Sequence, residues 1–323
     1  MNKIITLIII VLFLSSCQSP KTTKVELIAS VSELSDTLFL SQVENLTESK
    51  GLIIFSEEYW GQIIVINSKD LIIKSIVGKK GEGPNELCNL SNFCLSHDTL
   101  FVLDGGCGKL LTYDLAGHMI QRYALPRESR LMPEYRYFVN EHKHMHIATQ
   151  NDTGAFVDIN LNNGNLSFKG KRFEFKYDSQ NTIRNGRNIF KRGNTYIMVS
   201  DNMPYIEVCD NQYNLIEKYD YTNIVQNRLS FIEKHINAPN SYGIICEDAY
   251  VNENKLYLLL ASNSDGIYFV NRIAVFSLSP QIKFEKQYEL PGNVYSTFCI
   301  AKDKIFAFNS QKSELEVLAL STK

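Results

Sequence analysis

The chain has 323 residues, with 33 Lys or Arg against 35 Asp or Glu, so its formal net charge is -2. A charge balance so close to zero gives no electrostatic basis for binding a polyanion, and nucleic acid is therefore not an expected partner. Hydrophobic residues make up 44% of the chain. That share is enough for a sizeable buried core and excludes a disordered or collagen-like protein.

The first segment of the chain has the features of an export signal. Lys3 precedes an apolar run over residues 4–14, which suits a signal peptide but is too short for a membrane-spanning helix of about 20 residues. Cys17 directly follows a Leu and two Ser residues, a pattern that resembles the bacterial lipobox. We expect residues 1–16 to be a lipoprotein signal peptide and Cys17 to be lipidated. The alternative is an ordinary signal peptide followed by a Cys that is not modified.

The residues after this signal are polar and have no apolar periodicity. Residues 17–24 are predicted to be the lipidated Cys17 and a flexible tether. Two or three acyl chains on one Cys anchor a protein stably to a membrane. Gln18 stands where an Asp would resemble an inner-membrane retention signal. We therefore expect a lipid-anchored protein of the cell envelope, held in the outer membrane.

Beyond the tether, the sequence predicts short strands that repeat. β-branched and aromatic runs alternate with Gly, Asn and Asp, and no segment keeps a helical period for three turns. One apolar run recurs six times, 45 to 60 residues apart, and begins at residues 52, 100, 145, 196, 256 and 305. A second run follows every copy, a third follows five of them, and a further apolar segment precedes each. Each unit is thus a four-stranded meander.

Four-stranded units of this length, repeated four to eight times, build β-propellers. We predict an all-β fold over residues 25–323, a six-bladed β-propeller of four-stranded antiparallel blades. The innermost strand of the first blade is predicted near residues 38–46. The sixth copy ends without its outer strand, and an open sheet edge would destabilise the ring. Residues 25–31 are predicted to supply that strand and close the last blade.

A glycine-rich loop over residues 78–87 separates the first two units. It lacks the Gly-Lys-Ser/Thr ending of a phosphate loop, so nucleotide binding is not supported. Its glycines are expected to supply positive φ. The element Gly81-Glu82-Gly83-Pro84-Asn85-Glu86, with the six units and Cys17, resembles the bacterial six-bladed β-propeller lipoproteins, relatives of TolB-like and NHL-repeat propellers. The resemblance implies a fold and an envelope location but no activity.

A candidate binding face follows from strand direction. In a four-stranded meander, the turn from the second to the third strand lies on the same face as the crossover to the next blade. Every copy places an acid or an amide at that turn, although Asp and Asn are also preferred there for turn formation itself. With the glycine loop, the candidate face comprises Glu57, Glu58, Gly81, Glu82, Gly83, Asp104, Asp152, Asp201, Asp265 and Asn309.

Two functions from different classes are compatible with this pattern. The first is a non-catalytic module that binds or scaffolds a partner protein or a glycan. The second is a propeller hydrolase or lyase with a hard cation such as Ca²⁺ at the channel mouth. The sequence contains no Ser/His/Asp set, HExxH motif or EF-hand run, so no catalytic residue can be named. We therefore favour binding, with Ca²⁺ as the one cofactor considered.

The remaining cysteines and histidines are given structural roles. Three cysteines are predicted to be free buried thiols at one equivalent position of three inner strands: Cys94, Cys246 and Cys299. Three others could be thiols or disulfides in an oxidising compartment: Cys88, Cys107 and Cys209. Three histidines alternate along the chain and are predicted to be solvated turn residues rather than metal ligands: His142, His144 and His146.

Overall fold

The computed structural model describes residues 22–236, 238–239 and 241–320. Six antiparallel sheets follow one another along the chain and form a ring, so the predicted six-bladed β-propeller is confirmed. Each blade has four strands, A to D, in the order in which they pair. The predicted signal peptide and Cys17 lie outside the described residues. The prediction of a lipid anchor therefore stays a prediction.

The strands of the blades have the following bounds. Blade 1 contains Val43–Ser49, Leu52–Glu57, Gln62–Asn67 and Ile73–Val77, and blade 2 contains Leu90–Ser96, Thr99–Asp104, Lys109–Asp114 and Met119–Ala124. Blade 3 contains Phe138–Val139, His144–Ala148, Phe156–Asn160 and Leu166–Lys169, and blade 4 contains Arg187–Arg192, Thr195–Ser200, Tyr205–Asp210 and Leu215–Asp220. Blade 5 contains Cys246–Asn252, Lys255–Ser264, Ile267–Ser277 and Lys283–Glu289. Blade 6 contains Tyr295–Ala301, Lys304–Asn309, Glu314–Ala319 and, as its strand D, Glu26–Val31.

Burial increases from the outer strands towards the middle of each blade. Strand D of blade 2 exposes every residue except Tyr123, whereas strand B of that blade is buried after its first residue. The A strands of most neighbouring blades contact one another around the axis, including those of blades 6 and 1. The apolar core therefore lies between blades, and the A strands surround a central channel.

The predicted closure of the ring is confirmed. Strand D of blade 6, Glu26–Val31, pairs antiparallel with Glu314–Ala319, so that Leu27 lies opposite Leu318 and Val31 opposite Leu315. One further strand, Thr22–Lys24, pairs in parallel with strand D of blade 5. The folded domain therefore includes residues 22–24, which the sequence analysis assigned to the tether.

Two predictions about secondary structure are wrong. The innermost strand of blade 1 is Val43–Ser49, because Leu38–Phe39 pairs instead with Glu33–Ser35 in a separate two-stranded sheet. A 14-residue helix, Thr222–His235, connects blade 4 to blade 5, and a short helix, Asp178–Ile183, precedes blade 4. The long helix packs on the core through three partly buried side chains, Ile224, Leu229 and Ile232. It explains why the repeat spacing is longest between blades 4 and 5.

The cysteines divide into one disulfide and four free thiols within the described residues. Cys88 and Cys107 form the disulfide, with their Cα atoms 6.1 Å apart. The other four are free, as predicted for three of them: Cys94, Cys209, Cys246 and Cys299. The predicted equivalence fails for Cys246, which lies opposite the sixth residue of strand B, Leu260, at the start of its strand. Cys94 and Cys299 lie opposite the third residues of theirs.

The histidine prediction is correct for one residue and wrong for two. His142 is exposed in the turn between strands A and B of blade 3. His144 lies in strand B, with its Nδ1 2.7 Å from Asp158 Oδ1. His146 is buried, with its Nδ1 2.9 Å from the Tyr213 hydroxyl, and burial lowers the pKa of His146 to about 4. These two side chains are parts of a structural network rather than solvated turn residues.

Candidate functional site

A ring of polar side chains surrounds the centre of the channel. Each blade contributes one such residue: Asn45, Asn92, Arg136, Asn188, Asp248 and Thr297. In blades 2, 4, 5 and 6 this residue lies opposite the fifth residue of strand B, as Asn92 lies opposite Leu103. Each is followed directly by a buried apolar side chain: Leu46, Phe93, Tyr137, Ile189, Ala249 and Phe298. The apolar residues form the core between blades, which leaves the polar residues directed towards the axis.

A buried ion pair closes the middle of the channel. Arg136 donates from Nε to Asp248 Oδ1 at 2.7 Å and from Nη2 to Asp248 Oδ2 at 2.8 Å. Arg136 Nη2 also donates to the carbonyl of Leu46 at 3.1 Å, and the Thr297 hydroxyl donates to Asp248 Oδ2 at 2.7 Å. Arg136 lines a cavity on each side of this pair. The ring is therefore cross-braced by side chains rather than open from face to face.

Six carboxylates line one of the two cavities. Asp248 is paired with Arg136, and we call the other five the acidic mouth: Glu44, Glu58, Glu134, Asp201 and Glu247. The cavity has a volume of about 450 Å³. It lies where the A strands begin, on the face that carries the crossovers and the turns between strands B and C. The acidic mouth is therefore on the face that strand direction predicted.

Burial and mutual repulsion raise the pKa of these carboxyl groups. Burial, together with the charge of Asp248, raises the pKa of Glu44 to about 8 and that of Glu247 to about 7. Burial also raises the pKa of Asp201 to about 7, and it raises the pKa of the two remaining members of the acidic mouth. Carboxylates that repel one another in a poorly solvated site favour a proton or another positive charge nearby.

Asp201 is held in place by the chain around it. It follows strand B of blade 4, and its Oδ2 accepts a hydrogen bond from the Tyr135 hydroxyl at 2.8 Å. Its carbonyl accepts hydrogen bonds from the backbone of Ile245 and Cys246, at 2.6 and 2.9 Å. Asp201 therefore joins the end of blade 4 to the start of blade 5, and it also presents a carboxylate to the cavity.

Three other predicted site residues are buried and hold the turns of the same face. Glu57 accepts backbone hydrogen bonds from Ser41 and Gln42, at 2.9 and 2.8 Å. Asp104 accepts them from Cys88 and Asn89, at 2.8 and 3.1 Å. The Asn309 side chain donates to Glu316 Oε1 at 3.0 Å. Glu57 and Asp104 therefore link the turn between strands B and C to the incoming crossover, and none of the three is a surface contact.

The glycine loop lies outside the acidic mouth, so Gly81, Glu82 and Gly83 do not line the cavity. Glu86 organises the loop, because its Oε2 accepts a hydrogen bond from the Gly83 amide at 3.0 Å and its Oε1 bonds Lys79 Nζ at 2.7 Å. A Cβ at Gly81 would lie 2.1 Å from Glu86 Oε2, and one at Gly83 would lie 3.0 Å from it. The glycines make room for this side chain, and the expectation that Gly83 supplies positive φ is wrong.

Of the ten predicted site residues, Glu58 and Asp201 line the cavity. Asp152 and Asp265 are exposed on turns that do not. Sequence reasoning missed Glu44, Glu134 and Glu247. A signal for two of them was present, since Glu44 precedes Asn45 and Glu247 precedes Asp248 in the polar ring. At the start of an inner strand, an acid followed by a polar and then an apolar residue predicts that the acid lines the cavity.

The cavity on the opposite face is of a different character. It has a volume of about 700 Å³ and lies among the ends of the A strands. Its lining mixes apolar side chains such as Phe138 and Ile189 with charged ones of both signs, such as Glu48 and Lys191. The two cavities therefore differ in charge, because acids predominate in the first and both signs occur in the second.

The architecture agrees with the comparison to known families. A family model for DUF5128, described as a 6-bladed beta-propeller, matches residues 32–200. The chain belongs to this family. No curated protein matches it. The long helix of this DUF5128 propeller, like the other helices in the described part of the chain, is not long and apolar enough to cross a membrane.

Solved structures resemble this DUF5128 propeller over almost its whole length. A protein from Bacteroides fragilis NCTC 9343 described as exported has 14% identity and a TM-score of 0.63, over 94% of this chain and 96% of that chain. A DUF4221 family member from Bacteroides vulgatus ATCC 8482 has 12% identity and a TM-score of 0.60, over 93% and 98%. A streptogramin B lyase has 13% identity and a TM-score of 0.51, over 91% and 88%. At these identities the likeness is one of fold.

Proposed function

We propose that the protein is an exported, lipid-anchored binding module of the cell envelope, and that its acidic mouth receives a positively charged side chain of a partner protein. The observation that carries this proposal is the set of five carboxylates around one cavity. Arg228 lies close enough to interact with Glu247, and Arg184 with Asp201. The pKa of each of these carboxyl groups is nevertheless raised. A cationic ligand would relieve the repulsion that these shifts reflect.

The spacing of the carboxylates favours an extended cation over a bare metal ion. Ca²⁺ is held by six to eight oxygens at about 2.3–2.6 Å. In the described chain, no three carboxylates of the acidic mouth bring oxygens within 4.8 Å of one another. The one cluster that meets this limit contains Asp104 with Cys88 and Cys107, whose sulfurs are already joined as a disulfide. Ca²⁺ is accordingly the alternative ligand in the test below.

A second acceptor lines the same cavity. Asn45 is 8% exposed, and its Oδ1 accepts no hydrogen bond from the part of the chain that the structure describes. A buried acceptor without a donor is destabilising, so a donor supplied by a ligand is favourable there. Lys and Arg side chains offer several N–H donors together with their charge. A glycan hydroxyl could donate to Asn45 as well, but only a basic side chain also brings the positive charge that the carboxylates favour.

The test is calorimetric titration of the mature lipidated protein in detergent with tetralysine, tetraarginine and CaCl₂ in parallel. We expect the peptides to bind and the double variant Glu44→Gln/Glu247→Gln to lose at least about tenfold in affinity, since hydrogen bonds to charged groups contribute about 1.5–3 kcal/mol each. The matched control is Glu253→Gln/Asp303→Asn, which removes two exposed acids at turns on the opposite face. Binding that is equally weakened in the control, or binding of Ca²⁺ alone, would contradict the proposal.

The lipid anchor has its own test. Cys17→Ala should release the protein from the detergent phase or block removal of residues 1–16, because no other residue of the lipobox-like segment can carry the acyl chains. The measurement is detergent partition with metabolic labelling by a fatty acid. A Cys17→Ala protein that still carries label and partitions as an acylated protein would show that the anchor lies elsewhere.

A further inference from the structure

The point at which the tether reaches the folded domain is fixed at the edge of blade 5. Thr22 pairs with Gln287 and Lys24 with Glu289, on the outer strand of that blade. Cys17 lies five residues before Thr22 in the sequence. Five residues span at most about 18 Å, at 3.3–3.6 Å each. If Cys17 is acylated, as proposed above, the membrane surface cannot lie far from this edge.

The neighbours of Thr22 belong to the two longest elements of the fold. Thr22 lines a shallow cavity of about 320 Å³ with Arg228 of the long helix and with Ser262 of blade 5. Ser262 belongs to a β-hairpin formed by Lys255–Ser264 and Ile267–Ser277, strands of 10 and 11 residues. The corresponding strands of the other blades have five or six residues each. The tether therefore arrives at the root of a hairpin that extends beyond the neighbouring turns.

The tip of this hairpin carries exposed apolar side chains. Ser262 pairs with Phe269, Asn263 with Tyr268 and Ser264 with Ile267. Ser264 and Ile267 lie two residues beyond the pair that contains Ser262, so at about 3.4 Å per residue they reach roughly 7 Å past the cavity at the root of the hairpin. Ile267 is 57% exposed and Tyr268 37% exposed, and the Tyr268 ring lies 4.8 Å from the Arg228 guanidinium. Apolar and aromatic side chains of this kind are favoured at the boundary of a bilayer.

We infer that this hairpin tip, Asn263–Tyr268 in the pairing above, contacts the bilayer and holds the propeller edge-on to the membrane. The tether length places the tip within reach of the lipid, and Ile267 and Tyr268 supply the apolar surface that the lipid contacts. The tip borders the acidic mouth, because Tyr268 interacts electrostatically with Glu247, whereas Glu44 and Glu58 of the acidic mouth belong to blade 1. The inference rests on the lipid anchor of the proposed function but not on what the acidic mouth binds.

The experiment uses tryptophan fluorescence of the mature lipidated protein in phosphatidylcholine vesicles that contain brominated lipid. The native chain has one tryptophan, Trp60, in the turn between strands B and C of blade 1, which lies on the same face as the hairpin tip, and this tryptophan provides the control. In the double variant Trp60→Phe/Tyr268→Trp, we expect emission to shift to shorter wavelength and to be lost to the brominated lipid. Trp60 of the native protein should keep its emission. Hydrogen exchange of the native protein should slow at residues 263–268 in vesicles relative to detergent, which gives a readout that needs no substitution.

The outcomes separate the contact from the anchor. If the protein floats with the vesicles but neither the introduced tryptophan nor the hairpin amides respond to lipid, the contact is wrong and the anchor stands. If Trp60 is quenched as strongly, the whole face lies on the membrane and the edge-on orientation is wrong. If the protein does not float at all, the anchor itself is wrong and the contact falls with it.

Discussion

At the scale of single residues, the buried pair of Arg136 and Asp248 controls the electrostatics of the channel. Both side chains are 9% exposed, and the cost of removing two such charges from water is comparable to the attraction between them. The pair is therefore a weak source of stability. The pair has a clearer effect on the pKa of Glu44. The charge of Asp248 raises this pKa, and the charge of Arg136 lowers it. The Arg136–Asp248 pair therefore influences how readily Glu44 of the acidic mouth binds a proton or another positive charge.

The raised pKa values predict a loss of stability between pH 6.5 and 8. Glu44 and Glu247 retain protons in the folded state up to about pH 8 and 7, whereas in the unfolded chain they release them near pH 4.5. The folded state therefore binds more protons in this window, and the free energy of unfolding falls as pH rises. His146, with its pKa lowered to about 4, acts in the opposite direction between about pH 4 and 6.5, so its effect fades at the lower edge of this window.

Urea denaturation at pH 6.5 and pH 8 measures this effect. The variant Glu247→Gln should be more stable than the native protein at pH 8 and should show a smaller difference between the two pH values. The matched control Glu253→Gln, an exposed acid on the opposite face, should leave the difference unchanged. A native free energy of unfolding that rises over the window would be inconsistent with protonated carboxyl groups in the acidic mouth.

At the scale of elements, blade 2 is clamped to the crossover that enters it. Between blades 1 and 2 the clamp has two parts. Asp104 accepts hydrogen bonds from the backbone of the crossover, and Lys109 Nζ donates to the carbonyls of Gly83 and Glu86. The disulfide of Cys88 and Cys107 joins the same two segments. A glycine loop that would otherwise be a loose connection is thereby fixed to blade 2.

Loss of the disulfide should destabilise this clamp measurably. The two cysteines are separated by 19 residues, and closing a loop of about that length contributes roughly 3 kcal/mol to the free energy of unfolding. The variant Cys88→Ser/Cys107→Ser should lose about this amount in urea denaturation. Native protein kept in dithiothreitol should lose the same amount, and the variant should be insensitive to the reductant. A native protein whose stability does not depend on the reductant would show that the disulfide contributes nothing.

At the scale of the whole molecule, the ring is held closed by its N-terminal residues. Residues 22–31 pair with the outer strand of blade 5 and then with strand C of blade 6, so that one continuous segment joins the last two blades. Val25 between them is 5% exposed and belongs to an apolar cluster that blades 5, 6 and 1 share. Because every blade packs on two neighbours, opening at one position leaves two blades without a partner face.

Deleting residues 18–34 while retaining Cys17 should therefore lower the melting temperature of the entire domain in one cooperative transition. Deletion of residues 18–21 alone, which precede the first paired strand, is the control and should leave the melting temperature unchanged. Circular dichroism with differential scanning calorimetry gives both values. An unaltered transition after the longer deletion would mean that the ring does not depend on this closure.

The chain sequence was sufficient for the blade count, the closing strand and the face on which the turns gather, because these depend on local patterns. Short β-branched and aromatic runs, an acid or an amide at each turn, and the missing outer strand of the sixth copy can all be read from short segments of the chain. The sequence did not predict the long helix, because its apolar positions are interrupted by polar ones such as Arg228, which is buried in the fold.

The acidic mouth could be recognised only in three dimensions. Glu44 belongs to blade 1 and Glu247 to blade 5, and no local pattern says that their carboxyl groups share a cavity. In the same way, Glu57 and Asp104 look like Asp201 in the sequence, but the folded chain buries the first two under backbone donors and directs the third into the cavity. Strand pairing within a blade is short-range, whereas closure of the ring brings distant strands to one axis, and it is at that axis that the charges meet.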